Sequence, residues 1–188
     1  MLYIIGGASR TGKSTISREL MAETGIPCFS LDVLMMGLAN GLPEYGINPE
    51  DPEFRNAAKI WPILRSMLIN MIEAGMDYII EGYTILPEHV SEIQSVHPDQ
   101  VKSCFIGYTR IDPEKKLEEI RIYSGLPNDW AKSASDRDIL ELINRSIRYS
   151  AFLKEECEIF HIPYFDQSED FIGTHRSILV YLNNQDLK

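Results

Sequence analysis

Cysteine is scarce in this sequence and nowhere paired. Cys28, Cys104 and Cys157 are widely spaced and form no CxxC unit. That excludes a zinc knuckle, a dithiol redox motif and a disulfide framework, and buried reduced thiols in a cytosolic protein are the expectation. Histidine is as thin: His89, His97, His161 and His175 show no partner spacing, so neither a metal set nor a catalytic triad is visible in them. Positive charge is in deficit. Eighteen Lys and Arg against 28 Asp and Glu leave a net charge of −10, which would repel a phosphate backbone outside a local basic patch, so no nucleic-acid partner is expected. No apolar run reaches membrane-spanning length, and no basic stretch followed by an apolar one opens the chain. A soluble cytoplasmic protein without a membrane partner is therefore expected. Internal repeats, low-complexity tracts and linkers are missing too. The 188 residues, 44% hydrophobic and 24% charged, suit one well-buried domain better than two.

What the chain does have begins at once. The apolar run Leu2 to Ile5 enters a loop in which Gly7, Gly12, Lys13 and Ser14 spell GxxxxGKS, and a helical pattern follows. Strand before and helix after is the context a P-loop requires. Its glycines let the backbone of Gly7, Ala8, Ser9, Arg10, Thr11 and Gly12 turn tightly, so that several N–H groups point inward on phosphate oxygens, and the helix adds the positive end of its dipole. Lys13 can reach the β- and γ-phosphates of a nucleoside triphosphate, the Ser14 hydroxyl can ligate Mg²⁺, and Thr15 falls near the α-phosphate.

The rest of the chain alternates strands and helices. Ile16 and Leu20 mark a helix over residues 14–23, and Pro27 to Leu31 reads as a strand that stops at Asp32. An acid at the carboxyl end of a strand in an open α/β sheet sits where ligands bind; the plainer role for Asp32 is a helix N-cap. Residues 37–54, broken by Gly37, Gly41, Gly46, Pro43, Pro49 and Pro52, are expected to be irregular, a mobile segment covering the substrate. Residues 56–75 read as a helix with Pro62 near its first turn. The strand 77–83 ends in Glu81-Gly82, and such an acid beside a P-loop completes a nucleotide site by holding a Mg²⁺ ligand water or orienting the attacking group. A helix follows to Val96, and a strand spans 101–108.

Asp112-Pro113 starts a helix that reaches Tyr123 and breaks at Gly125-Leu126-Pro127. Ser135 to Asp138 has the shape of a capping box for a second helix, to about Ile159. Arg121, Arg137, Arg145 and Arg148 lie on this helical hairpin. Phosphoryl transfer needs cations to offset charge on the moving group; Arg121 and Arg137 are the first choices and Arg145 the next. A strand at 162–165 and a helix at 170–182 close the chain.

Taken together, Gly7 to Thr15, Asp32, Glu81-Gly82 and the arginine-bearing hairpin resemble the P-loop kinases of the nucleoside monophosphate kinase and shikimate or gluconate kinase type. The likeness covers nearly the whole chain in order and size, with the P-loop its specific part. It implies an α/β fold: a single three-layer α/β/α P-loop NTPase domain over residues 1–188, with a five-stranded parallel sheet in the order 2-3-1-4-5. A substrate-binding segment at about 33–60 and a helical lid at about 112–145 go with it. By the same resemblance Asp32 binds or deprotonates the acceptor hydroxyl, Glu81 joins Ser14 at the metal, and Arg121 and Arg137 are lid arginines. Many relatives carry Asp-Gly where this chain has Glu81-Gly82, and residues 38–54 match no monophosphate-binding pattern. The expectation is a monomeric or homodimeric kinase that uses ATP and Mg²⁺ on a hydroxyl of a small metabolite. A nucleoside monophosphate kinase and a nucleotide-hydrolysing switch are the alternatives, the latter lacking NKxD and LSGGQ strings.

Overall fold

The computed structural model describes residues 1–123 and 129–184. Five strands alternate with seven helices: β1 (Leu2–Gly7), α1 (Lys13–Thr24), β2 (Cys28–Ser30), α2 (Leu31–Gly41), α3 (Glu53–Glu73), β3 (Tyr78–Glu81), α4 (Pro87–Val96), β4 (Val101–Gly107), α5 (Pro113–Tyr123), α6 (Asp136–Ile159), β5 (Tyr164–Asp166) and α7 (Phe171–Asn183). Single 3-10 turns lie at Pro43–Tyr45 and Trp130–Lys132. The strands form one parallel sheet in the order β2-β3-β1-β4-β5.

Both faces of that sheet are covered, which is why its strands read as continuous apolar runs. Alternation along the strands sends Ile4, Ile80 and Phe105 into the larger core with Leu64 and Leu68 of α3, Val90 of α4 and Leu153 of α6. Ile5, Ile79 and Cys104 face the other way, against Ile16 and Leu20 of α1 and Ile178 and Leu182 of α7. The α5–α6 hairpin has a small core of its own, built on Tyr108, Leu117, Ile120, Ile139 and Ile143. Among the described residues no helix is long and apolar enough to cross a membrane.

Three sequence expectations need correction. Residues 37–54 are not irregular throughout: α2 continues to Gly41 and α3 already begins at Glu53. Burial of Met35 at one end and of Glu53, Asn56 and Ala57 at the other outweighs the weak helix preference of the glycines. The irregular part shrinks to residues 42–52. Pro62 consequently sits inside α3 and not in its first turn, where its missing N–H removes one helical hydrogen bond. The last strand is Tyr164–Asp166, displaced toward Asp166, whose neighbour Gln167 donates its amide to the Gly107 carbonyl at 2.9 Å. The expected helix break at Gly125-Leu126-Pro127 lies outside the described residues.

Under the sheet, His89 stacks on Trp61 with ring centroids 4.3 Å apart, and its Nδ1 accepts the Leu86 amide at 3.3 Å. Burial lowers its pKa to about 4, with Glu92 opposing. The folded protein thus resists a charge that the unfolded chain accepts near pH 6.5. Stability from this site is complete above about pH 6.5 and is lost as pH falls from there toward 4, by about 3 kcal/mol. Urea unfolding of wild type and His89→Phe between pH 7 and 4 checks this: the wild type should lose about 3 kcal/mol more than the variant over that interval.

Candidate active site

The turn out of β1 is shaped by backbone that only small residues permit. Gly7 has φ +139°, and a Cβ there would lie 2.1 Å from the Ile106 carbonyl oxygen of β4. Its successor Ala8 donates to that same carbonyl at 3.0 Å. The Thr11 hydroxyl donates to the Ala8 carbonyl at 2.9 Å, and the Tyr108 hydroxyl supports the Ser9 carbonyl from below at 3.0 Å. Arg10 and Gly12 both take left-handed conformations, with φ 61° and 78°. Gly12 then caps α1 without a side chain, so the first amides of the helix face the loop, the arrangement that binds phosphate.

Lys13 lies inside this loop. It is almost fully buried, and its Nζ donates to the Ala8 carbonyl at 2.6 Å, with the Thr11 Oγ1 at 3.4 Å. Burial lowers its pKa, while the carboxylates of Glu81 and Asp32 work in the opposite direction. Ser14 and Thr15 are exposed on the first turn of α1.

Parallel pairing brings the two acids to the same edge. Glu81, buried at the end of β3, is in register with Ile5 of β1 and Ser30 of β2, and shares the sheet face of Ile79, toward α1. Asp32 is the second residue of α2 and not its cap, a position held by Ser30. The residue as a whole is exposed, yet the pKa of its carboxyl is raised, chiefly by burial, with Lys13 opposing and Glu81 adding. Lys13, Asp32 and Glu81 therefore share one electrostatic site. Among the described residues no three His, Cys, Asp or Glu side chains group as a metal cage. A Mg²⁺ bound partly by substrate phosphates and water would need only one or two protein oxygens, and Ser14 and Glu81 are the residues that would supply them.

The hairpin arginines are distributed differently. Arg121 ties the hairpin together: it donates to the Ala131 and Ala134 carbonyls at 2.5 and 2.8 Å and pairs with Asp136. Arg137 faces solvent beside Glu141 at 3.0 Å. Arg148 is exposed on the outer side of α6. Arg145 instead reaches the cleft side, its Nε 2.9 Å from Oε1 of Glu53, an acid only 5% exposed.

Three sets of contacts left little sign in the sequence. Arg10 of the P-loop makes a two-pronged pair with Asp129, at 2.8 and 2.5 Å, joining loop and hairpin. Glu53 is the second. Tyr83, just past Glu81-Gly82, is the third; its hydroxyl donates to the Met35 sulfur at 3.1 Å and its carbonyl accepts from the Tyr149 hydroxyl at 2.9 Å. The position of Tyr83 after the acid was the one available signal. Nothing in the local sequence distinguishes Glu53 from a surface residue.

Sheet order, glycine loop, buried lysine and helical hairpin define the fold of the shikimate- and gluconate-type P-loop kinases. The chain resembles a gluconokinase from Sinorhizobium meliloti 1021 (TM-score 0.58, 14% identity, 96% of this chain and 90% of that one). It is equally like a shikimate kinase from Bacteroides thetaiotaomicron (TM-score 0.58, 16% identity, 97% and 98%). An uncharacterized protein from Eubacterium ventriosum ATCC 27560 has a TM-score of 0.55 at 15% identity, over 97% of both chains. No protein-family model matches the chain, and no curated sequence is significantly similar to it.

Proposed function

We propose that the protein is a kinase that moves the γ-phosphoryl group of ATP, with Mg²⁺, to a hydroxyl of a small metabolite. The observation that carries this reading is a lysine buried inside a glycine loop at the end of β1, with Glu81 in register with that strand and Asp32 opening the next helix. The loop amides and Lys13 hold the β- and γ-phosphates, the lysine exchanging its bond to the Ala8 carbonyl for one to phosphate. Mg²⁺, when bound beside Ser14 and Glu81, supplies positive charge against the phosphate oxygens. Asp32, whose raised pKa makes it a better base than an ordinary carboxylate, takes the proton of the acceptor hydroxyl as that oxygen attacks. One O–P bond forms, the bond from the γ-phosphorus to the bridging oxygen breaks, and ADP leaves. Arg121 and Arg137 are the charge-stabilising hairpin residues of this scheme, and each takes that role only by exchanging its present partner, Asp136 or Glu141, for phosphate.

A monophosphate acceptor finds less support. Arg55 and Lys59, the cations of the segment that would bind it, both pair with Asp51 at 3.4 Å, and Lys59 also donates to the Gly46 carbonyl.

Asp32→Asn tests the assignment. Loss of a general base should lower turnover on the order of 10²–10³-fold while the affinity for ATP stays within a factor of about three. Turnover equal to wild type would exclude Asp32 as the base.

A further inference from the structure

Charged and aromatic groups from three parts of the chain meet beside α2. Glu53 and Phe54 open α3, Tyr83 follows β3, and Arg145 and Tyr149 come from one side of α6. They are in mutual contact: Arg145 pairs with Glu53 at 2.9 Å, the Tyr149 hydroxyl holds the Tyr83 backbone, and Phe54 stands edge-on to Tyr149 with ring centroids 5.4 Å apart. The Tyr83 hydroxyl meets Met35, one turn of α2 beyond Asp32.

We propose that the acceptor is a hydroxyl compound bearing an ammonium group and no carboxylate or phosphate. The inference rests on the kinase reading and deepens it. Four charged groups act on Tyr83 from the elements around it: Asp32, Glu53, Glu50 and Arg145. The single cation of that set is taken by a buried acid, and with Lys13 shared between Asp32 and Glu81 the acids here still outnumber the cations. A carboxylate entering here would meet like charge on two sides and an arginine already neutralised. Gluconate and shikimate, the acids in the names of two structural neighbours, are therefore poor fits. An ammonium group gains from the same carboxylates and from the aromatic faces of Tyr83 and Phe54, of which Phe54 is 42% exposed. One turn along α3 from Glu53, the wholly buried Asn56 donates to the Asn48 carbonyl at 2.8 Å and leaves its Oδ1 without a protein partner, an acceptor atom suited to N–H or O–H donors. Tyr83 itself stays protonated, its pKa raised first by burial and then by these acids.

The test uses a deproteinised metabolite extract divided, before any enzyme is added, into a fraction retained by a cation exchanger, one retained by an anion exchanger and one retained by neither. Each is incubated with the full-length protein, Mg²⁺ and γ-labelled ATP. Labelled product from the cationic fraction, at least tenfold above the others, is the expected result. Product mainly from the anionic or the neutral fraction overturns the proposal while leaving the kinase assignment standing. No labelled product from any fraction overturns the kinase reading, and the inference falls with it. Glu50→Gln provides an independent readout, because Glu50 is exposed and outside any core. It should raise the KM for the cationic acceptor severalfold with the KM for ATP unchanged, and an unaltered or lowered acceptor KM would contradict the proposal.

Discussion

Lys13→Ala is expected to lower the proposed phosphoryl transfer on the order of 10²–10³-fold and to leave the domain folded. Among the described residues the side chain hydrogen-bonds to the Ala8 carbonyl and lies near the Thr11 hydroxyl, and its charge also offsets the carboxylates of Glu81 and Asp32. Relieving a buried charge of its desolvation offsets part of the lost hydrogen bonding. The expected cost appears when a triphosphate is to be held, since among the described residues the Lys13 ammonium is the cation bonded inside the loop to the Ala8 carbonyl. Steady-state turnover combined with thermal unfolding separates the two: activity should collapse with a melting temperature within about 3 °C of wild type. Wild-type turnover in a folded variant would remove Lys13 from the mechanism.

Gly7→Ala has the opposite profile, with stability failing first. The new Cβ would lie 2.1 Å from the Ile106 carbonyl oxygen and 2.8 Å from the Ile106 nitrogen, both backbone atoms of the adjoining central strand. Neither can yield without breaking the β1–β4 ladder, in which Gly7 pairs with Ile106. The φ of +139° adds strain for any L side chain. Destabilisation of about 3 kcal/mol or more follows, a fall in melting temperature of roughly 6–12 °C for a domain of this size. Gly25→Ala is the control. It also has positive φ, 73°, but its Cβ meets nothing within 4 Å, and the loss should be limited to about 1 kcal/mol.

These two residues were readable from the sequence because their roles are local. A glycine that must turn and a lysine that must follow it appear as a fixed spacing, and the strand and helix around them appear as periodicity. The sheet order came with the resemblance that the motif brought, and the pairing of β3 with both β1 and β2 bears it out. Boundaries were harder. Gly37 and Gly41 looked like breaks, yet α2 passes through Gly37 and ends only at Gly41, because the contacts of Leu31 and Met35 decide its extent and a glycine on its exposed side costs only about 1 kcal/mol. Pro62 looked like a helix start, and the burial of Glu53, Asn56 and Ala57 carried α3 back past it.

Long-range pairs left no trace at all. Arg10 and Asp129 are 119 positions apart, and neither is unusual where it stands. Glu53 resembles any acid at the start of a helix until Arg145 arrives from α6. The arginines show the same limit: sequence identified the hairpin as the place to look, but which of them turns toward the cleft is settled by the phase of α6. Its buried stripe through Ile139, Ile143, Ser146 and Leu153 sets Arg145 at the margin and Arg148 outward.

On the proposed function, main-chain amides and Lys13 at the end of β1 grip a polyphosphate. Calorimetric titration of wild type and Lys13→Ala with a non-hydrolysable ATP analogue and Mg²⁺ tests it most directly. Saturable heat at one site in the wild type, lost or weakened at least tenfold in the variant, is the result predicted. Absence of binding heat in the wild type, or identical isotherms for the two proteins, would contradict it.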